Sequence, residues 1–105
     1  MELALRALAE PRRVEILKVI GSGETPAGEI AEHFKLTRPA ISQHLRVLVD
    51  AKLLAERREG TRRLYRVRPE TFAELRSFLD SFWDTRLARL KHVVENDARV
   101  KRPKR

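Results

Sequence analysis

The segment of residues 36–48 constrains the fold of this chain more than any other part of the sequence. Thr37 is a suitable N-cap, because its hydroxyl can accept a hydrogen bond from a free backbone N–H of the first helical turn. Pro39 is tolerated in that turn, where no intrahelical donor is lost. Apolar residues then recur at steps of three and four, so we predict a helix that begins at about Thr37. Its predicted buried stripe consists of Ile41, Leu45, Leu48 and Val49.

The opposite face of this predicted helix carries side chains that can donate and accept hydrogen bonds. These side chains are Arg38, Ser42, Gln43 and Arg46. Residues of these types bind the base edges and the phosphates of double-stranded DNA. The polar face therefore predicts a surface that contacts nucleic acid.

The preceding segment predicts a shorter helix. Thr25 is a candidate N-cap, Pro26 suits the first helical position, and Ile30, Ala31 and Phe34 mark the inner face. Two short helices joined by a tight turn predict a helix-turn-helix, whose second helix enters the major groove. A small helical hairpin without a nucleic-acid partner has the same apolar spacing and is the alternative.

Between residues 55 and 67 the pattern changes from helical to alternating, which predicts a β-hairpin. Gly60 supplies the permissive backbone that the turn needs, and Tyr65 and Val67 are expected to face the core. Four arginines flank the turn: Arg57, Arg58, Arg62 and Arg63. Like charges across a two-stranded ribbon repel, so we expect an anionic partner to relieve the repulsion. Such a hairpin would be a wing along the phosphate backbone, and a solvated charged hairpin is the alternative.

The charge balance agrees with a polyanionic partner. The 105 residues contain 23 Lys and Arg against 15 Asp and Glu, which gives a formal net charge of +8. A basic membrane-surface protein or a ribosomal protein would share this balance. No apolar run has the length of a membrane span and no signal-peptide pattern is present, so we expect a cytoplasmic, nucleoid-associated protein. The chain has no cysteine, which excludes disulfides and thiolate-bound metals.

The segments on either side of the predicted helix-turn-helix and hairpin have helical patterns. Residues 3–8 form a short apolar pattern, and a second helical pattern ends at Gly21. From Pro69 a long apolar stripe predicts a helix too long for one small domain, so part of it should pack against a second copy. The predicted dimer interface consists of Leu3, Leu5, Leu8, Phe78, Phe82, Trp83, Leu87, Leu90 and Val94. In the alternative, the helix breaks near Asp80-Ser81 and folds back within one subunit.

The order of these elements carries a family resemblance. Residues 7–13, 29–31 and 38–45, followed by Gly60, Tyr65 and Phe82-Trp83, together resemble the arsenic-repressor (ArsR/SmtB) family of winged-helix transcription regulators. The resemblance covers about residues 3–95. It implies a mainly α winged helix-turn-helix with a small β-hairpin, which dimerises through its N- and C-terminal helices.

The same resemblance implies a homodimer whose paired helices enter successive major grooves of an inverted repeat. Members of that family usually repress transcription, commonly at or near their own promoter. The implied DNA contacts on the second helix are Thr37, Arg38, Pro39, Ser42, Gln43, His44 and Arg46, the last two at the edge of the surface. The implied contacts on the wing are Arg57, Arg58, Thr61, Arg62 and Arg63.

The chain departs from the metal-sensing members that it resembles. Those members carry a cysteine in the helix before the second helix, whereas residues 27–33 contain none. Other members pair Asp-x-His with His-x-x-Glu on the last helix. His92 and Glu95 reproduce the second pair, but Ser81 stands where the first histidine is expected. Two ligands do not close a tetrahedral shell, so we expect neither a metal nor a cofactor.

Catalysis finds no support in the sequence. Ser42 and His44 lie two positions apart on a predicted helix, so they point in different directions and cannot share a proton. The chain has no Gly-rich phosphate loop and no HExxH-like metal motif. We expect that the protein is not an enzyme.

The sequence predicts one winged helix-turn-helix DNA-binding and dimerisation domain over residues 1–96, followed by a basic, disordered tail over residues 97–105. The favoured function is a sequence-specific regulator, a homodimeric repressor or autorepressor of an inverted-repeat operator. The alternatives are a low-specificity architectural DNA-binding protein, or a regulator controlled by a protein partner or a small ligand. Arg38, Ser42 and Gln43 favour the first function, because base recognition requires polar donors and acceptors on one face.

Overall fold

The structure, a computed structural model, describes residues 1–82, 89–90 and 92–94. The elements in chain order are α1 (Glu2–Leu8), α2 (Pro11–Ile20), β1 (Glu24–Pro26), α3 (Ala27–Glu32), α4 (Arg38–Asp50), β2 (Leu54–Glu59), β3 (Arg62–Val67) and α5 (Pro69–Phe82). The chain divides into two compact units, Met1–Ala73 and Glu74–Arg105. The predicted mainly helical architecture with a β-hairpin is confirmed.

The helix α2 begins at a side-chain cap. The Glu10 carboxylate accepts hydrogen bonds from the backbone N–H groups of Arg12 and Arg13, at 2.7 and 3.2 Å, and Pro11 occupies the first turn. The cap satisfies two of the amide groups that have no partner within the helix. The predicted end of the helix at Gly21 is confirmed, since this residue has a positive φ of 60° that side chains disfavour.

The segment before α3 is extended and does not begin a helix at Thr25. Thr25 pairs with Tyr65 in the middle of β1, and α3 begins at Ala27 without a side-chain cap. The prediction of Thr25 as the N-cap and of Pro26 as the first helical residue is therefore wrong. Pairing with the hairpin holds Thr25 and Pro26 in an extended conformation, which overrides their local preference for a helix start.

The strand β1 pairs with β3 of the hairpin, so the sheet has the order β1-β3-β2 and all neighbouring strands are antiparallel. Glu59 pairs with Arg62, which leaves Gly60 at a φ of 63° in a two-residue turn. The predicted hairpin is confirmed. Leu64 and Tyr65 are both buried although successive strand residues point to opposite faces, so both faces of β3 are covered there.

The core of the first unit forms around α4. Ile41, Leu45 and Leu48 are buried to 1% exposure or less, whereas Val49 is half-buried against the same cluster. They pack with buried residues of α1, α2 and the hairpin, and Leu8 and Val67 pack against this core as half-buried residues. Burial of apolar surface on one side of α4 fixes which of its residues meet solvent.

The helix α5 includes Asp80 and Ser81 and is described as far as Phe82. Residues 83–88 lie outside the described residues, so the alternative of a break near Asp80-Ser81 stays a prediction. Phe78, Leu79 and Phe82 remain 44 to 45% exposed on this helix. Leu90 and Val94, in helical residues of the second unit, are also exposed, whereas Trp83 and Leu87 lie outside the described residues. Within residues 1–82, 89–90 and 92–94, no helix combines the length and the apolar character of a membrane span.

Candidate nucleic-acid interface

The first turn of α4 is capped as the sequence predicts. Thr37 Oγ1 accepts a hydrogen bond from the backbone N–H of Ala40 at 3.2 Å, and Pro39 occupies the first turn. The buried stripe of α4 leaves Arg38, Ser42 and Gln43 exposed to solvent. A helix fixed by its cap and its core contacts therefore presents a polar face to solvent.

A groove of about 600 Å³ runs between α3, the exposed face of α4 and the tip of the hairpin. The polar and charged side chains along it include Glu29, Glu32, Arg38, Ser42, Thr61, Arg62 and Arg63. The groove thus brings Arg38 and Ser42 of α4 together with three of the predicted wing residues. Gln43 is exposed on α4 but does not line the groove.

Carboxylates of the same chain hold three of the four wing arginines. Arg57 donates from Nε and Nη2 to the two oxygens of Glu24, at 2.7 Å each. Arg62 and Arg63 are paired with the carboxylates of Glu59 and Glu56, each at 3.2 Å. Carboxylates of the protein itself therefore already offset much of the repulsion among these arginines, which an anionic partner was expected to relieve. Of the four, only Arg58 has no carboxylate within 4 Å among the described residues.

The pair of Glu24 and Arg57 joins the two outer strands of the sheet across β3. The hydrogen bond from Arg57 lowers the pKa of Glu24, and the same bond raises the pKa of Arg57. Two parallel N–H donors facing two carboxylate oxygens make this the ion pair with the best geometry in the hairpin. In the free protein the Arg57 guanidinium is therefore bound to a carboxylate of the sheet.

Glu56 on β2 contacts arginines of both α4 and β3. One of its oxygens is 3.7 Å from Arg46 Nη2, and the other is 3.2 Å from Arg63 Nη1. Arg46 is also 3.8 Å from the Asp50 carboxylate on its own helix. Burial raises the pKa of Tyr65, and the negative charge of Glu56 raises it further. Glu56 therefore links two cationic residues that the sequence assigns to the DNA-binding surface.

His44 is half-buried at the inner edge of the polar face, with Nδ1 at 3.5 Å from Arg13 Nη1. The residue that the family resemblance places at the edge of the DNA-contacting surface thus contacts a side chain of α2. The role of Arg13 and the carboxylate partners Glu24, Glu56 and Glu59 are not predicted from the sequence. Glu59 lies three positions before its partner Arg62, a spacing from which their pairing could have been predicted, whereas the partners of Glu24 and Glu56 are distant in sequence.

Within the part of the chain that the structure describes, no group of three or more His, Asp or Glu residues could hold a metal ion. His92 is described there, whereas Glu95, the second half of the sequence pair, lies outside it. His33 is the exposed residue that ends α3.

A capped helix with a polar outer face, a short helix before it and a charged hairpin beside it define a winged helix-turn-helix DNA-binding domain. Residues 10–56 match a family model described as "Bacterial regulatory protein, arsR family". The HTH-type transcriptional regulator Rv2034 of Mycobacterium tuberculosis is 38% identical over 94 residues, which are 90% of this chain and 88% of that protein. An arsenical resistance operon repressor of Staphylococcus xylosus is 34% identical, over 72% of this chain and 73% of that protein.

This chain belongs to the arsR family of bacterial regulatory proteins. A crystal structure of a possible transcriptional regulator for arsenical resistance is 44% identical with a TM-score of 0.72, over 85% of this chain and 93% of that one. A homodimeric winged helix-turn-helix DNA-binding domain from Mycobacterium bovis is 32% identical with a TM-score of 0.64, over 82% of this chain and 80% of that one. The chain is therefore a DNA-binding transcription regulator, and its relatives are regulators rather than enzymes.

Proposed function

We propose that this protein is a homodimeric transcriptional repressor that binds an inverted-repeat operator with α4 in the major groove. The observation that carries the proposal is the exposed polar face of α4, with Arg38 and Ser42 beside the wing residues in one groove. Relatives named as repressors, among them the one from Staphylococcus xylosus, support the sign of regulation. Thr37 and Pro39 would approach the phosphate backbone where the helix begins.

Exposed apolar side chains support a dimer. Leu3 and Leu5 on α1 are 62% and 40% exposed, and Phe78 and Phe82 on α5 are exposed to a similar degree. Large exposed side chains of this kind mark surfaces that associate with a partner. A two-fold pair of subunits would place two α4 helices about one duplex turn, roughly 34 Å, apart. The homodimeric neighbour from Mycobacterium bovis has the same domain architecture.

Sequence recognition is expected to come from α4 rather than from the wing. A Gln side chain can bind adenine through two hydrogen bonds and an Arg side chain can bind guanine in the same way, whereas phosphate contacts carry no sequence information. Gln43 and Arg38 are therefore proposed as base-reading residues, and Arg62 as a phosphate contact. This division separates a specific repressor from an architectural DNA-binding protein.

The decisive experiment selects bound duplexes from a random DNA pool and then compares the selected operator with random DNA. Gln43→Ala should reduce the preference for the operator by about 1–3 kcal/mol and change binding to random DNA little. Arg62→Ala should weaken binding to both duplexes and reduce the dependence on salt. If no palindrome is selected, or if Gln43→Ala weakens all duplexes equally, the architectural alternative replaces the proposal.

A further inference from the structure

We propose that Glu56 and Glu59 are built-in competitors of DNA phosphate, which limit the contribution of phosphate contacts to binding. Each carboxylate occupies arginines of the proposed DNA surface in the free protein, so a phosphate must displace it. The inference rests on the proposed DNA-binding function and adds a control of affinity to it. Its consequence is that binding at working salt depends on the base contacts of α4.

Each of the two carboxylates bridges two guanidinium groups. Glu59 Oε1 lies 3.2 Å from Arg62 Nη2, and Glu59 Oε2 lies 3.3 Å from Arg57 Nη2. Glu56 contacts Arg63 at 3.2 Å and Arg46 at 3.7 Å. The two oxygens of each carboxylate contact two guanidinium groups, as the two free oxygens of a phosphodiester can. Carboxylates and phosphates both suit the planar arrangement of N–H donors in arginine.

The arginines in these pairs remain accessible. The side chains of Arg46, Arg62 and Arg63 are 55%, 58% and 47% exposed, so a phosphate can approach them from solvent. Exposed ion pairs of this type contribute little to stability, which makes the exchange of carboxylate for phosphate possible. The pair of Arg57 with Glu24 is shorter and bidentate, so we expect Arg57 to stay paired with Glu24 when DNA approaches.

The electrostatic consequence follows from counterion release. Binding to random DNA depends almost entirely on phosphate contacts, and its salt dependence reports how many cations reach phosphates. A carboxylate held beside an arginine lowers the effective charge that this arginine brings to the duplex. Removal of the carboxylate should therefore increase affinity for DNA of any sequence and steepen the dependence on salt.

The test uses Glu56→Gln and Glu59→Gln in the full chain, with Glu15→Gln as the matched control. Glu15 contacts Lys18 on α2 and no wing arginine, yet its substitution changes the net charge by the same amount. Fluorescence anisotropy would follow binding to labelled random duplex and to the selected operator between about 50 and 200 mM salt. Circular dichroism would verify that each variant is folded.

We expect each of the two variants to bind random DNA about two- to fivefold more tightly than Glu15→Gln. The logarithmic salt slope should steepen by about one unit per subunit, since Glu59→Gln frees Arg62 and Glu56→Gln frees Arg63. Arg57 stays paired with Glu24, and Arg46 stays near Asp50. Adding Arg62→Gln to Glu59→Gln should remove most of the gain. If both variants match Glu15→Gln in affinity and slope, the inference is overturned. If the wild-type protein binds operator and random DNA equally, it is the proposed function that fails.

Discussion

The guanidinium of Arg13 connects α2 to His44 on α4, with 3.5 Å between Arg13 Nη1 and His44 Nδ1. The same group donates from Nε to the carbonyl oxygen of Ala7 at 2.7 Å and from Nη2 to that of Arg6 at 3.3 Å. These carbonyls belong to the last turn of α1, where backbone acceptors attract cations, and that of Arg6 also accepts a hydrogen bond from the Ala9 N–H at 3.2 Å. One side chain thus ties three helices together behind the proposed DNA-binding face.

Replacement of Arg13 by lysine should destabilise the fold. Three different guanidinium nitrogens contact the three acceptors, and the one nitrogen of an ammonium group cannot occupy all three positions. Arg13→Lys should therefore lower the free energy of unfolding by about 1–3 kcal/mol. Urea denaturation followed by circular dichroism measures the change. Arg12→Lys is the control, because the Arg12 side chain is exposed and makes no ion pair with the described residues. Equal stability of the two variants would argue against this role.

The cap of α4 predicts a difference between two substitutions at one position. Thr37→Ala removes the acceptor of the Ala40 N–H and should cost about 1 kcal/mol of unfolding free energy. Thr37→Ser keeps the hydroxyl and should remain close to the wild type. Chemical denaturation of the three proteins is the measurement, and a serine variant as unstable as the alanine variant would contradict the assignment.

The pair of Glu24 and Arg57 predicts a pH dependence of stability. The pKa of Glu24 is lowered in the folded protein from an ordinary value of 4.5, chiefly by the hydrogen bond from Arg57. Its contribution should therefore be present above about pH 4.5 and be lost as the pH falls through the lower, folded-state pKa. Glu24→Gln should be less stable than the wild type near neutral pH, and this difference should shrink in acid.

Unfolding free energies measured along a pH series would check that pH prediction. Glu32→Gln is the control, because Glu32 is exposed on α3 and has no ion pair within residues 1–82, 89–90 and 92–94. If the difference in unfolding free energy between Glu24→Gln and the wild type stays constant down to low pH, the ion pair is not the cause of that difference.

The exposed phenylalanine on α5 predicts a weaker dimer when it is made polar. Phe78 is 45% exposed, and its burial against a second subunit would contribute about 1.5–3 kcal/mol. Phe78→Ser should therefore raise the dimer dissociation constant by about tenfold or more. Sedimentation velocity over a concentration series measures it, with Ser77→Ala on the same helix as the control. A wild-type chain that stays monomeric, or a Phe78→Ser variant that dimerises normally, would refute the interface.

Local signals explain which parts of the fold the sequence predicts. The start of α4 depends on Thr37 and Pro39, and the hairpin turn depends on Gly60, so neighbouring residues contain the information. The strand β1 is only three residues long and forms by pairing with β3, about forty positions later. A segment of that length has no periodicity of its own, and its Thr-Pro pair suggests a helix start instead.

The residues of the candidate site also divide into those that local signals predict and those that depend on contacts between distant parts of the chain. Arg38, Ser42 and Gln43 were predictable because the buried stripe of α4 fixes the opposite face. The pairing of Arg57 was not predictable, since it meets Glu24 across 33 positions of sequence, and neither was the role of Arg13, which meets His44 across 31. Contacts at that separation exist only after the sheet and the helices have assembled, so residue spacing does not reveal them.

The position of β2 at the margin of the sheet has a consequence for self-association of the protein. An outer strand offers unpaired backbone groups on which a strand from another molecule can add, and such addition leads towards fibrils. The last four residues of β2, from Glu56 to Glu59, are all charged, and charged side chains disfavour this addition. The charged side chains that set the electrostatics of the wing are thus expected also to protect the protein from aggregation through its own sheet.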